Sequence, residues 1–178
     1  MTDHVLRPWK REDADALRDM CASTSDLRNQ IGDADLSSVA NAENFIEETL
    51  VWTESRKNWA IAVDGVAVGN VGASNIEWRH ATAWVYYWLG SSARGGGLAT
   101  KASNSVADWA FSAGLFRLEL GHRVNNPASC GVATRAGFLV EGIERQKLLY
   151  GADRYDVELH ARLATDPMHG ADSLLFVH

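Results

Sequence analysis

The sequence predicts an α+β fold, a mostly antiparallel sheet flanked by helices, and three observations carry that prediction. Asp64-Gly65 separates two apolar runs, the strongest short hairpin signal, because both central residues of a type I′ turn need positive φ. A strand-like run, Thr82 to Leu89, leads through three consecutive glycines into a helical pattern from Leu98 to Ser112. Finally, two alternating segments after Phe138 meet at the Gly151-Ala152-Asp153 turn.

In chain order, Val5-Leu6-Arg7 reads as a short strand stopped by Pro8. Ala16, Leu17 and Met20 recur at helical spacing and predict a helix over Glu12 to Ala22. The polar stretch Ser23 to Leu36 reads as a loop or irregular helix. Ser37 or Ser38 then caps a second helix, Val39 to Ser55, with Phe45, Ile46, Thr49 and Leu50 facing inward. The hairpin strands are Asn58–Val63 and Val66–Val71, and a polar turn at Trp78-Arg79-His80 precedes the strand ending at Leu89. Gly114 closes the helix that follows the glycines. From Phe116 to Val124, Leu118, Leu120 and His122 share one face, opposite Arg117, Glu119 and Arg123. Pro127 suits the first turn of a short helix ending before Gly137, and Tyr155–Leu163 is the last strand. The expected order is β α α β β β α β α β β. Residues 1–164 form one domain, and 165–178 are expected as a loose or late-docking tail.

The 178 residues, 46% hydrophobic and 22% charged, supply a full core and exclude disorder or a coiled coil as a description of the whole. The longest uncharged run, Ala81 to Ala93, is too short to span a bilayer, and no secretory signal opens the chain. A cytoplasmic protein is expected. Net charge is −6, from 17 basic and 23 acidic residues, which argues against a sequence-independent grip on nucleic acid. Cys21 and Cys130 give neither a disulfide framework nor a C-x-x-C half-site, so inert thiols and no metal are expected.

The segment richest in chemistry is Arg94-Gly95-Gly96-Gly97-Leu98-Ala99-Thr100. Glycines directly before a helix N-terminus gather backbone N–H groups without Cβ interference, which suits a pyrophosphate. Neither G-x-x-x-x-G-K-[ST] nor G-x-G-x-x-G is present, so the loop alone is equally compatible with a plain connection.

Arg94-x-x-Gly97-x-Ala99 resembles the [QR]-x-x-G-x-[GA] acyl-CoA loop of the GNAT N-acetyltransferase superfamily. Asn126-Pro127-Ala128-Ser129, Val132, Arg135, Gly137-Phe138 and Glu141-Gly142 resemble the matching block of its RimL/RimJ-type branch. Tyr87-Trp88-Leu89 is similar to that branch's G-Y-W-L strand, with Tyr86 in place of Gly, and the resemblance covers residues 5 to 164. It implies splayed central strands and transfer of an acetyl group from acetyl-CoA to a primary amine, either a small molecule or a protein N-terminus, by direct aminolysis. A catalytically weak acyl-CoA sensor is the alternative.

By the same resemblance, backbone groups of Tyr87 and Leu89 would take the pantetheine amides, and backbone donors from Arg94 through Gly95, Gly96, Gly97, Leu98, Ala99 and Thr100 the pyrophosphate. Asn126 would contact the arm. Ser129 would protonate the leaving sulfur, or else only bond its helix or the arm. The branch's usual carboxylates are replaced by Trp84 and Leu148. That leaves His122 as a candidate base, since imidazole is the side chain whose ordinary pKa falls nearest neutrality. The competing reading is a core histidine. Trp52 and Trp84 are candidates to line an acceptor pocket, and core packing explains each equally well. A homodimer is also implied, with the apolar Ser173–Val177 tail as a candidate partner surface.

Overall fold

The computed structural model describes residues 2–32, 34–167 and 172–177. Along them run β1 (His4–Arg7), α1 (Ala14–Ser23), α2 (Arg28–Ile31), α3 (Val39–Glu48), β2 (Lys57–Val63), β3 (Val66–Glu77), β4 (Thr82–Leu89), α4 (Leu98–Ser112), β5 (Arg117–Arg123), α5 (Pro127–Arg135), β6 (Leu139–Tyr150), β7 (Asp153–Leu163) and β8 (Leu175–Phe176). The described strands form one sheet in the order β6-β7-β5-β4-β3-β2-β1-β8. Pairing is antiparallel except for β4 with β5 and β1 with β8.

Local chemistry sets most of the turns as the sequence predicts. Asp64 and Gly65 both hold positive φ, 48° and 84°, and Gly114, Gly137 and Gly151 leave their elements in the same left-handed region. Ser38 caps α3 by accepting from the Asn41 N–H at 3.2 Å. That helix is shorter than its periodicity predicts. Thr49 and Leu50 both return their N–H groups to the Phe45 carbonyl, and side chains beyond the helix take its last carbonyls. Arg56 donates to the Glu48 oxygen and Asn58 to the Thr49 oxygen, each at 3.2 Å. Tertiary partners therefore stop α3 at Glu48, before Trp52.

The sheet has a core on each face. Trp59, Ile61, Val71, Val85, Leu118 and Phe138 pack beneath α4 and α5. Leu17, Leu27, Ile46, Ala60 and Trp88 pack beneath α1 and α3. Of the two expectations for the tail, loose or late-docking, the described part takes the second. It adds β8 alongside β1, buries Leu174, and sets the Phe176 ring 5.5 Å from Trp59.

Arg7 and Asp13 make a buried two-pronged ion pair at 2.6 and 2.7 Å, joining β1 to the start of α1. Asp13→Ala leaves that guanidinium buried and unpaired. The expected loss is about 3–5 kcal/mol of stability, read by urea unfolding.

Candidate active site

β4 and β5 pair only from Thr82 to Trp84, opposite Arg117 to Glu119, and then part. The Trp84 indole lies at the point of divergence against Gly121, where an added Cβ would come within 2.9 Å of the ring. The gap holds two cavities of about 300 and 250 Å³, which meet at Asp26, Tyr87, Asn126 and Ser129.

The smaller cavity ends at the glycine turn. Gly95 and Gly97 hold φ of +82° and +79°, and Gly97 is the N-cap of α4. Among the described residues no backbone N–H from Gly95 through Thr100 donates a hydrogen bond, and the Lys101 N–H is the first to turn back, to the Gly97 carbonyl. The Thr100 hydroxyl in the same wall is buried and unpartnered. Six free amides at the positive end of a 15-residue helix make a strong anion site. Arg94 departs from the expectation. Its backbone N–H donates to Ser91 at 3.3 Å, and its guanidinium is a strut to Asp26, 2.9 Å, and the Leu89 carbonyl, 3.0 Å. The Arg94 hydrogen bonds and charge hold the Asp26 carboxyl below the usual carboxylate range. The undonated amides are thus those of 95–100, with Arg94 bracing the turn.

The open strand edge lies as expected. Gly90 donates to the Val68 carbonyl at 3.0 Å. By antiparallel alternation Tyr86 and Trp88 then bond β3, and Tyr87 and Leu89 turn their N–H groups to the gap. Of the outward carbonyls, that of Leu89 is already taken by Arg94. Across the gap, the Asn126 side-chain oxygen caps α5 through the Ser129 N–H at 3.2 Å, which leaves the Ser129 hydroxyl unused by the cap. That hydroxyl faces Tyr87, whose own hydroxyl is buried and makes no hydrogen bond of normal geometry. Burial pushes the Tyr87 hydroxyl pKa up, and Ser129 is near enough to oppose the shift.

In the larger cavity, Trp84 and Leu148 stand together, with the Lys147 ammonium 5.2 Å from the Trp84 ring centre. Trp52 is not there. It sits beyond the end of α3, donates its indole N–H to the Asn58 carbonyl at 2.5 Å, and packs edge-on against Trp59. His122 lines the cavity wall but offers it no nitrogen. Nδ1 lies 2.9 Å from the Arg123 carbonyl, and Nε2 points inward, 2.9 Å from Nε2 of His160. The expected imidazole base is therefore tied up within the protein.

The acetyltransferase (GNAT) domain family matches residues 4–139. The chain belongs to the GNAT acetyltransferase family. A ribosomal-protein-serine acetyltransferase of Escherichia coli is 33% identical over 108 residues, a stretch spanning 60% of each chain. An uncharacterized N-acetyltransferase of Bacillus subtilis is 24% identical over 88% of this chain and 91% of its own. Among solved structures, a Mycobacterium smegmatis RimJ in complex with CoA-disulfide has TM-score 0.78 at 25% identity, covering 91% of this chain and 88% of its own. A microcin C7 self-immunity acetyltransferase in complex with acetyl-CoA and AMP aligns at TM-score 0.80, covering 90% and 92%. At 23% identity it bears on the fold alone.

This GNAT domain brings together Tyr87, Leu89, residues 95–100, Asn126, Ser129 and Trp84, and it separates Trp52 from them. Sequence reasoning missed the Tyr87 hydroxyl, because the strand resemblance drew attention to its backbone alone. Strand alternation was the available signal, since Tyr87 shares a face with the buried Val85 and Leu89 and so turns its side chain toward α4. Burial pushes the Cys21 thiol pKa up to about 11, which disfavours the thiolate.

Proposed function

We propose that the chain is an acetyl-CoA-dependent N-acetyltransferase that acylates a primary amine, a small molecule or a protein N-terminal α-amine, by direct thioester aminolysis. The observation that carries the reading is the junction of the two cavities at Tyr87 and Ser129. An anion cradle lies on one side of it and an aromatic chamber on the other. The residues fit the cofactor. Six undonated amides and the unpartnered Thr100 hydroxyl suit a diphosphate, and the exposed edge of β4 suits an arm bearing amides. A relative that is a ribosomal-protein-serine acetyltransferase and a structural neighbour holding CoA-disulfide support the same reading.

The cofactor supplies an acetyl carbonyl activated as a thioester. The free Tyr87 N–H stabilises the developing oxyanion. Ser129, backed by Tyr87, returns a proton to the departing sulfur as the C–N bond forms and the C–S bond breaks. With His122 turned inward and Asp26 held by Arg94, the acceptor must arrive as the neutral amine and shed its proton to solvent. An α-amino group, with pKa about 7.7–8.0, meets that condition better than a lysine at about 10.4. No described helix is long and apolar enough to cross a membrane, and the proposed site of action is the cytoplasm.

Coenzyme A release with acetyl-CoA and a panel of small amines and N-terminal peptides tests the reading. Acceptor-dependent release supports it. Saturable binding without release favours the sensor, which the lack of a free base would explain. Trp84→Ala is expected to raise the acceptor KM roughly 2- to 13-fold, the worth of about 0.5–1.5 kcal/mol of aromatic contact, and to leave acetyl-CoA affinity unchanged.

A further inference from the structure

The inward side of His122 carries a second site. On β5 and β7, His122 stands opposite Glu158, and His160 lies two residues further along the same face. Cys130 on α5 completes the group, and the four candidate ligand atoms all lie within 4.8 Å of one another. Both histidines have ring partners that fix their tautomers. Nδ1 of His122 faces the Arg123 carbonyl at 2.9 Å, and Nδ1 of His160 faces the Phe138 carbonyl at 3.2 Å. A carbonyl only accepts, so each Nδ1 carries a ring proton, and Nε2 is the nitrogen that can offer a lone pair to a cation.

Those lone pairs converge. The two Nε2 atoms are 2.9 Å apart, and they lie 3.3 Å (His122) and 3.0 Å (His160) from one oxygen of Glu158. The Cys130 sulfur is 3.6 Å from that same oxygen. His160 is fully buried and His122 nearly so, which keeps both rings from turning out to bulk solvent. The geometry points to a tetrahedral zinc-class site built from His122 Nε2, His160 Nε2, Glu158 Oε1 and Cys130 Sγ.

Ligands about 2.0–2.3 Å from zinc at tetrahedral angles stand about 3.3–3.7 Å apart. The His122–Glu158 and Cys130–Glu158 separations already match, the two shorter ones open by some tenths of an ångström, and the Cys130–histidine separations, up to 4.8 Å, close by about an ångström as the sulfur moves in. Two imidazoles, a carboxylate and a thiolate form a donor set suited to Zn²⁺. Each imidazole also has its second nitrogen on a backbone carbonyl, the usual support for a metal-bound histidine. With four protein ligands the ion is structural and takes no part in acyl transfer. It pins α5, and with it Asn126 and Ser129, to β5 and β7. Sequence spacing gave no sign of it, because the ligands come from three elements.

Cobalt titration of chelator-treated, refolded-checked full-length protein tests the site without any turnover assay. One equivalent of Co²⁺ should give tetrahedral d–d bands and a thiolate-to-cobalt charge-transfer band, and Zn²⁺ should displace it. Cys130→Ser should remove the charge-transfer band with far-UV circular dichroism unchanged. His160→Gln should weaken binding by at least about 100-fold, beyond what losing an outer-shell partner costs. The proposal is overturned if wild-type protein shows no tetrahedral spectrum at millimolar Co²⁺, or if Cys130→Ser keeps the charge-transfer band.

Discussion

Gly97→Glu should abolish detectable acetyl-CoA binding, with an affinity loss of at least about 1,000-fold in calorimetry. Two physical effects combine. Gly97 caps α4 at φ +79°, where an L-residue costs roughly 1–2 kcal/mol. A Cβ there meets nothing within 4 Å, so crowding contributes no part of the effect. The second effect is charge, since a carboxylate about 4 Å from a phosphate at an effective dielectric of 20 is repelled by about 4 kcal/mol. Gly97→Ala isolates the conformational share and should weaken binding by roughly 5- to 30-fold. Unaltered coenzyme A affinity in the Glu variant would remove the anion cradle from the site.

Ser129→Ala should lower kcat by about 100-fold or more, the ordinary worth of a positioned proton donor, and leave acetyl-CoA affinity within a few-fold of wild type. The substitution is clean because the helix cap uses the Ser129 N–H and the Asn126 side chain, neither of which it removes. Tyr87→Phe should give a smaller loss if that hydroxyl backs Ser129 in the relay. Equal rates in Ser129→Ala and wild type would reduce Ser129 to a wall of the cavity. In both proteins kcat/KM for an α-amine acceptor should rise with pH through the acceptor's own pKa, about 7.7–8.0, because only the neutral amine attacks.

Much of the fold was legible because it depends on neighbours in sequence. Asp64-Gly65 needs positive φ at both positions whatever surrounds it, and the alternation of Leu118, Leu120 and His122 follows from strand geometry alone. The end of α3 was not legible. Its periodicity continued past Glu48, and the side chains that stop it, Arg56 and Asn58, arrive from beyond the helix. Whether the tail stays loose or docks was open in the sequence for the same reason. Leu174 and Phe176 acquire a role only when β8 finds the edge of β1 far away in the chain.

The candidate site divides along the same line. The family resemblance marked residues 94–100, Asn126 and Ser129, and it could do so because a glycine turn before a helix and a capped helix are local arrangements. The sequence by itself therefore determined the α+β class, the hairpin and the glycine turn. Only the tertiary structure decided that Arg94 braces rather than binds, that Trp52 stays out of the cleft and that His122 faces His160, Glu158 and Cys130. Backbone torsions and caps are set within a few residues. Which side chains meet depends on strand register and helix docking, and those are fixed by the burial of the whole core.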